Sequence, residues 1–216
     1  VNNMDGYDTY RIVWQGNENV KNIYALSGTS STPLNCPPAY QVEPPFGAVI
    51  GGVDPRFFNI QPDSEFDSWL TIGFTDGDNS AALASIGIDF SGWDEDTALE
   101  SDPSDGGAVF LMDPTMELPN TDEIVLAQLT LPTDRGVSYF TAGISGRTIN
   151  DDVWTSEISV EIPQGSDFVG SGQVMNPGMN QGMNQEMNPG MNSRMITKMM
   201  PSSPQPQINK TMLGSA

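Results

Sequence analysis

Between residues 7 and 162, apolar and β-branched residues come in short runs, closed by glycine, proline or aspartate. The runs cover residues 7–14, 23–26, 69–74, 83–90, 108–112, 124–131, 137–144 and 158–162. The last alternates cleanly, with Ile158, Val160 and Ile162 set against Ser159 and Glu161, as in a strand with one wet face. Turn signals such as Gly51-Gly52, Asp54-Pro55, Asp76-Gly77, Asp102-Pro103 and Asp113-Pro114 separate the runs. No long amphipathic helix is legible. About eight short strands at this spacing predict an all-β fold, an antiparallel β-sandwich of two sheets packed face to face.

Residues 30–63 break the pattern with seven prolines beside Tyr40, Phe46, Phe57 and Phe58. So many aromatics predict an ordered, irregular loop laid over the sandwich, covering a sheet edge. Past residue 173 the character changes. Met175, Met179, Met183, Met187, Met191, Met195 and Met199 recur every four residues, mostly in Met-Asn-x-x units. Asn-Pro-Gly and Asn-Gln-Gly are type II turn sequences, and Pro177 and Pro189 oppose a continuous helix. The sequence therefore divides into an acidic sandwich domain over 1–173 and a Met/Asn/Gly/Pro-rich extended tail over 174–216. Alone, such a tail is expected to lack structure; against another surface, its thioethers can fill irregular apolar grooves.

Charge divides the chain at the same place. There are 27 acidic and 5 basic residues up to 173, and beyond it Glu186 stands against Arg194, Lys198 and Lys210. A formal net charge of −20 argues against nucleic acid, which needs clustered Lys and Arg, and disfavours anionic membranes. Cations and basic protein surfaces are the natural counterparts of such a charge. No apolar run approaches the roughly 18 residues of a transmembrane helix. Val1 in place of an initiator methionine is expected of a processed or trimmed product, one that has shed any targeting segment.

With no histidine, a Ser-His-Asp triad, a Cys-His pair and His-ligated zinc are all excluded. The single Cys36 forms no intrachain disulfide and reads as a buried, inert thiol. A pair of carboxylates acting on a glycoside needs no proximity in sequence, but 28 acidic residues give that signal no specificity. The segment from Asp76 to Ser80 opens like an EF-hand loop, yet Ala81 and Gly87 stand where that loop needs glycine and glutamate. Asp76 and Asp78, with Asp94 and Asp96, are left as candidates for weak calcium binding, against a reading as solvated turn carboxylates. The tail methionines suit Cu(I), but that part of the chain has no histidine or cysteine beside them. No other cofactor is expected. Trp14, Trp69, Trp93 and Trp154 could stack on sugars, though in a sandwich such residues more often line the core.

Several segments together resemble a known family. They are Pro38-Ala39-Tyr40-Gln41-Val42 with Pro45-Phe46-Gly47-Ala48, Gly51-Gly52-Val53-Asp54-Pro55, Phe66-Asp67-Ser68-Trp69-Leu70-Thr71, Ile86-Gly87-Ile88-Asp89-Phe90, Gly107-Ala108-Val109-Phe110 and Val125-Leu126-Ala127-Gln128-Leu129. Over roughly residues 38–147 the chain resembles an acidic β-rich domain of marine algae, including the pyrenoid shell proteins of diatoms. The resemblance implies a non-enzymatic plastid protein that tiles around the pyrenoid, and it carries no site residues. Shell proteins have two related domains and this sequence shows one. A cell-surface or extracellular-matrix member, binding polysaccharide or calcium, therefore stays open. The leading expectation is a structural protein that self-assembles as a homo-oligomer into a sheet, shell or filament. The seven methionines and Ile196 would form its docking surface on neighbouring subunits.

Overall fold

The strands form where the short runs predicted them, with three additions. A computed structural model describes residues 4–16, 18–77, 82–118 and 120–162, together with the backbone of 194–199. Chain order gives β1 (Tyr7–Gln15), β2 (Val20–Gly28), β3 (Asn35–Cys36), β4 (Trp69–Leu70), β5 (Leu83–Ile86) and β6 (Leu99–Glu100). There follow β7 (Gly107–Leu111), β8 (Glu123–Pro132), β9 (Ser138–Thr148), β10 (Val153–Ile162) and β11 (Arg194–Met199). Two five-residue 3-10 helices, Pro55–Asn59 and Pro62–Phe66, lie between β3 and β4.

The strands make two antiparallel sheets, as expected of a sandwich. One is four-stranded in the order β11-β1-β8-β4; the other is seven-stranded, β5-β7-β2-β9-β3-β6, with β10 also paired to β9. Both curl, and β10 of the larger sheet approaches β11 of the smaller one. The inward faces follow the two-residue period of a strand. Phe140, Ala142 and Ile144 from β9, and Ile158, Val160 and Ile162 from β10, meet Tyr10, Ile12 and Trp14 from β1 in one buried cluster. On β8 the register against β1 slips between Ile12 and Val13, leaving Leu126 as an extra residue. That bulge lets Leu126 and its neighbour Ala127 both join the core.

Two expected strands are shorter than their apolar runs. The 69–74 run keeps regular geometry only at Trp69 and Leu70, because Gly73 takes φ +79° and turns the chain. Thr71 and Gly73 still donate to the carbonyls of Leu126 and Val125. The 83–90 run stops at Ile86 for the same reason, with Gly87 at φ +67°. The pairs of residues that form β3 and β6 are too short to leave a periodic signal. β11 falls in the segment expected to gain structure only on another molecule. It differs because Arg194-Met-Ile-Thr-Lys-Met199 lacks the Asn, Gly and Pro of the preceding repeat, and because β1 offers it an edge to pair with.

Candidate functional site

β1 is the strand on which the C-terminal segment closes. Its sequence, Tyr-Asp-Thr-Tyr-Arg-Ile-Val-Trp-Gln, is rich in the aromatic and β-branched residues that suit a half-buried pleat. β8 pairs along one side of it, and β11 pairs antiparallel along the other. The register sets Met199 opposite Tyr10, Lys198 opposite Arg11, Ile196 opposite Val13, Met195 opposite Trp14 and Arg194 opposite Gln15. Of the predicted self-association residues, Met195, Ile196 and Met199 thus lie on this strand. Met175, Met179, Met183, Met187 and Met191 lie outside the described residues. Sequence reasoning singled out the segment through its methionines but did not identify β1 as its partner.

Next to this edge the two sheets are pinned together. The Trp14 ring stacks on Trp154 of β10, with centroids 5.5 Å apart and planes 18° from parallel. Room for Trp154 comes from Gly146, its partner on β9. A Cβ at Gly146 would lie 2.3 Å from the Trp154 ring and 2.4 Å from the Asn22 carbonyl. Asn22 is itself fully buried, its Nδ2 donating to the carbonyls of Pro114 and Met116. Trp14, Trp69 and Trp93 are buried, and Trp93 Nε1 donates to the Pro37 carbonyl.

The outer face of the smaller sheet is covered by the proline-rich segment, held by a buried polar network. Arg11 lies over the Trp69 ring, 5.7 Å from its centroid, and its Nε donates to Gln128 Oε1. Gln128 Nε2 donates in turn to the backbone carbonyls of Glu65 and Asp67. The fully buried Asp67 carboxylate accepts from Val42 N at 2.7 Å and Ala48 N at 2.6 Å, tying down the two ends of residues 42–48. Burial pushes its pKa up to about 7, outweighing the backbone N–H groups that favour the charged form. Sequence reasoning named this residue within the Phe66–Thr71 segment but gave it no role. The available signals were a polar Gln128 inside an apolar strand and an acid two residues before Trp69.

The acidic loops do different work. Asp94 Oδ1 accepts from the backbone N–H groups of Asp96 and Thr97, and Asp96 pairs with Arg135 at 3.0 Å. Asp76 sits elsewhere, its backbone bridged to Gly52, and Asp78 lies outside the described residues. Asp89 and Asp102 line an open cavity of about 500 Å³ with Glu100 and Asp105. Both cap their own turns, Asp89 through Ser91 and Asp102 through Ser104 and Asp105, and these hydrogen bonds hold their carboxyls below the usual range. Among the described residues no three His, Cys, Asp or Glu side chains group closely enough to hold a metal ion. Cys36 is buried, and burial raises its thiol pKa.

The fold defines an antiparallel β-sandwich whose small sheet is completed by a strand from the far end of the chain. No protein-family model, curated protein or solved structure matches the chain.

Proposed function

We propose that this chain is a non-enzymatic structural protein that self-assembles into a sheet, shell or filament, its C-terminal arm docking on neighbouring copies. The observation that carries this reading is β11. A segment separated from β10 by residues 163–193 supplies backbone pairing to a sheet edge, the means by which many proteins bind extended segments. Charge supports it. The region up to residue 173 has 27 acidic and 5 basic residues, whereas Arg194-Met-Ile-Thr-Lys-Met199 carries two positive charges and no acid. Screening makes that attraction small, so burial of apolar side chains has to supply most of the docking energy, at about 25 cal/mol per Å². Copies of itself are the primary partner, with basic surfaces of other proteins next. The resemblance to diatom shell proteins suggests the pyrenoid periphery as the place where such an assembly would serve.

Light scattering tests the reading. The full chain is expected to grow in particle size with concentration, and a chain lacking 174–216, with excess synthetic peptide of residues 194–199 to cover the bared side of β1, is expected to stay small. Equal particle size for the two chains removes the arm from the mechanism. A thermal melt of the shortened chain separates loss of assembly from loss of fold.

A further inference from the structure

We propose that β11 is an exchangeable strand: in the assembled protein, Arg194–Met199 of one copy pairs with β1 of a second copy in place of that copy's own β11. This rests on the self-assembly reading and names its site, the open side of β1.

The pairing itself does not distinguish own from foreign. β11 occupies the end of its sheet, and its six register pairs are all with β1. A second copy offers the same β1, so each of those pairs can be remade between chains with the same partner residues. Exchange of an identical element is therefore a low-cost route to association. The covalent connection does not decide the matter either. Residues 163–193 number 31, with a maximal reach of about 100 Å. The body of roughly 160 residues has an expected radius of gyration of about 15 Å.

The acceptor edge does not tolerate being left bare. Without β11, β1 keeps β8 on one side but presents a nine-residue row of unpaired N–H and C=O groups on the other, beside the core residues Tyr10, Ile12 and Trp14. Whatever leaves it has to be replaced. The acidic excess of the body attracts Arg194 and Lys198 only at long range, since the register sets Lys198 opposite Arg11 and Arg194 opposite Gln15 in either chain. Linkage sets when exchange occurs. A tethered strand competes with those of other chains at the effective concentration that its own connection sets. Dilute chains therefore close on themselves, and crowded chains exchange.

A disulfide lock tests this. Gln15 and Arg194 are register partners, and antiparallel partners lie about 4.5–5.5 Å apart at Cα, within disulfide reach. Native Cys36 is fully buried and does not compete. The full-length Gln15→Cys/Arg194→Cys variant, oxidised while dilute, ties β11 to its own β1. On concentration the oxidised form is expected to show at least a tenfold smaller assembled fraction by light scattering than the same sample after reduction. As a second readout, Gln15→Cys and Arg194→Cys chains carrying different tags are mixed, concentrated and then oxidised. Disulfide-linked pairs containing one of each are expected. Exchange is overturned if the oxidised double variant assembles as well as the reduced one, or if the mixture yields no mixed pairs while assembled. Wild-type chain that stays monomeric at every concentration defeats the self-assembly reading itself, and exchange with it.

Discussion

Two of the sheet edges are finished in opposite ways. The larger sheet keeps its ten-residue β10 edge beside β11 of the smaller one, and ends another edge at β5, four residues long, with Ile86 exposed and Gly87 turning the chain away. So short a strand presents little to pair with and needs no cover. The smaller sheet has β1 on its corresponding side, nine residues long and buried at Tyr10, Ile12, Val13 and Trp14. That edge is covered by a strand brought from the far end of the sequence. An edge can be blunted by stopping it early, or it can be kept long and given a partner. Only the second solution creates a place where another molecule's strand fits.

The largest effect expected from this contrast comes from Trp14→Ala. It removes the stack on Trp154 and empties the core beside the long edge, at a cost of about 3–5 kcal/mol by denaturant unfolding. A loss under about 1 kcal/mol would mean that the seam is not held there. Gly146→Ala comes next. Its Cβ meets Trp154 and the Asn22 backbone at impossible distances, so overpacking is expected to cost about 1–3 kcal/mol, with a shift in tryptophan fluorescence.

The third prediction concerns the outer face of the same sheet. The carboxyl of Asp67 is raised from its ordinary 3.8 to about 7, so between those values the folded protein holds a proton that the unfolded chain has released. Stability therefore falls as pH rises through that window, by at most about 1.4 kcal/mol per pH unit for one proton. Asp67→Asn removes the titration, and its stability is expected to decline less steeply than wild type from pH 4 to 7. At pH 4 it is also expected to be less stable, because its amide cannot accept from both Val42 N and Ala48 N. Parallel slopes for the two proteins would place the titration elsewhere. The smallest effect belongs to the blunt edge. Ile86→Thr, at a side chain 68% exposed, is expected to change stability by about 0.5 kcal/mol or less in a thermal melt. A cost comparable to that of Trp14→Ala would erase the difference between the edges.

Much of this was open to reading in the residues. The alternation at Ile158, Val160 and Ile162 appears as β10, and the aromatic run at Tyr7 appears as β1. Less legible were features that depend on who lies opposite. Nothing in Asn35-Cys36 or Leu99-Glu100 marks a strand; each is one because the other, or β9, pairs with it. Asp67 looked like one acid among 28, yet it is the one enclosed by the loop it anchors. The calcium candidates show the converse. Asp94 and Asp96 invited attention by their spacing, and folding uses Asp94 to cap a turn and Asp96 to meet Arg135.

By itself the sequence determined that this chain builds strands rather than helices, that they pair antiparallel, and that its charge is concentrated before residue 173. Those properties reside in local spacing and composition, which each segment carries wherever it goes. The tertiary structure alone decided which strand is left long at an edge, which acid is enclosed, and that Arg194–Met199 lies along β1. Each of these is a relation between residues distant in the chain. Its energy comes from a surface that does not exist until both partners have folded.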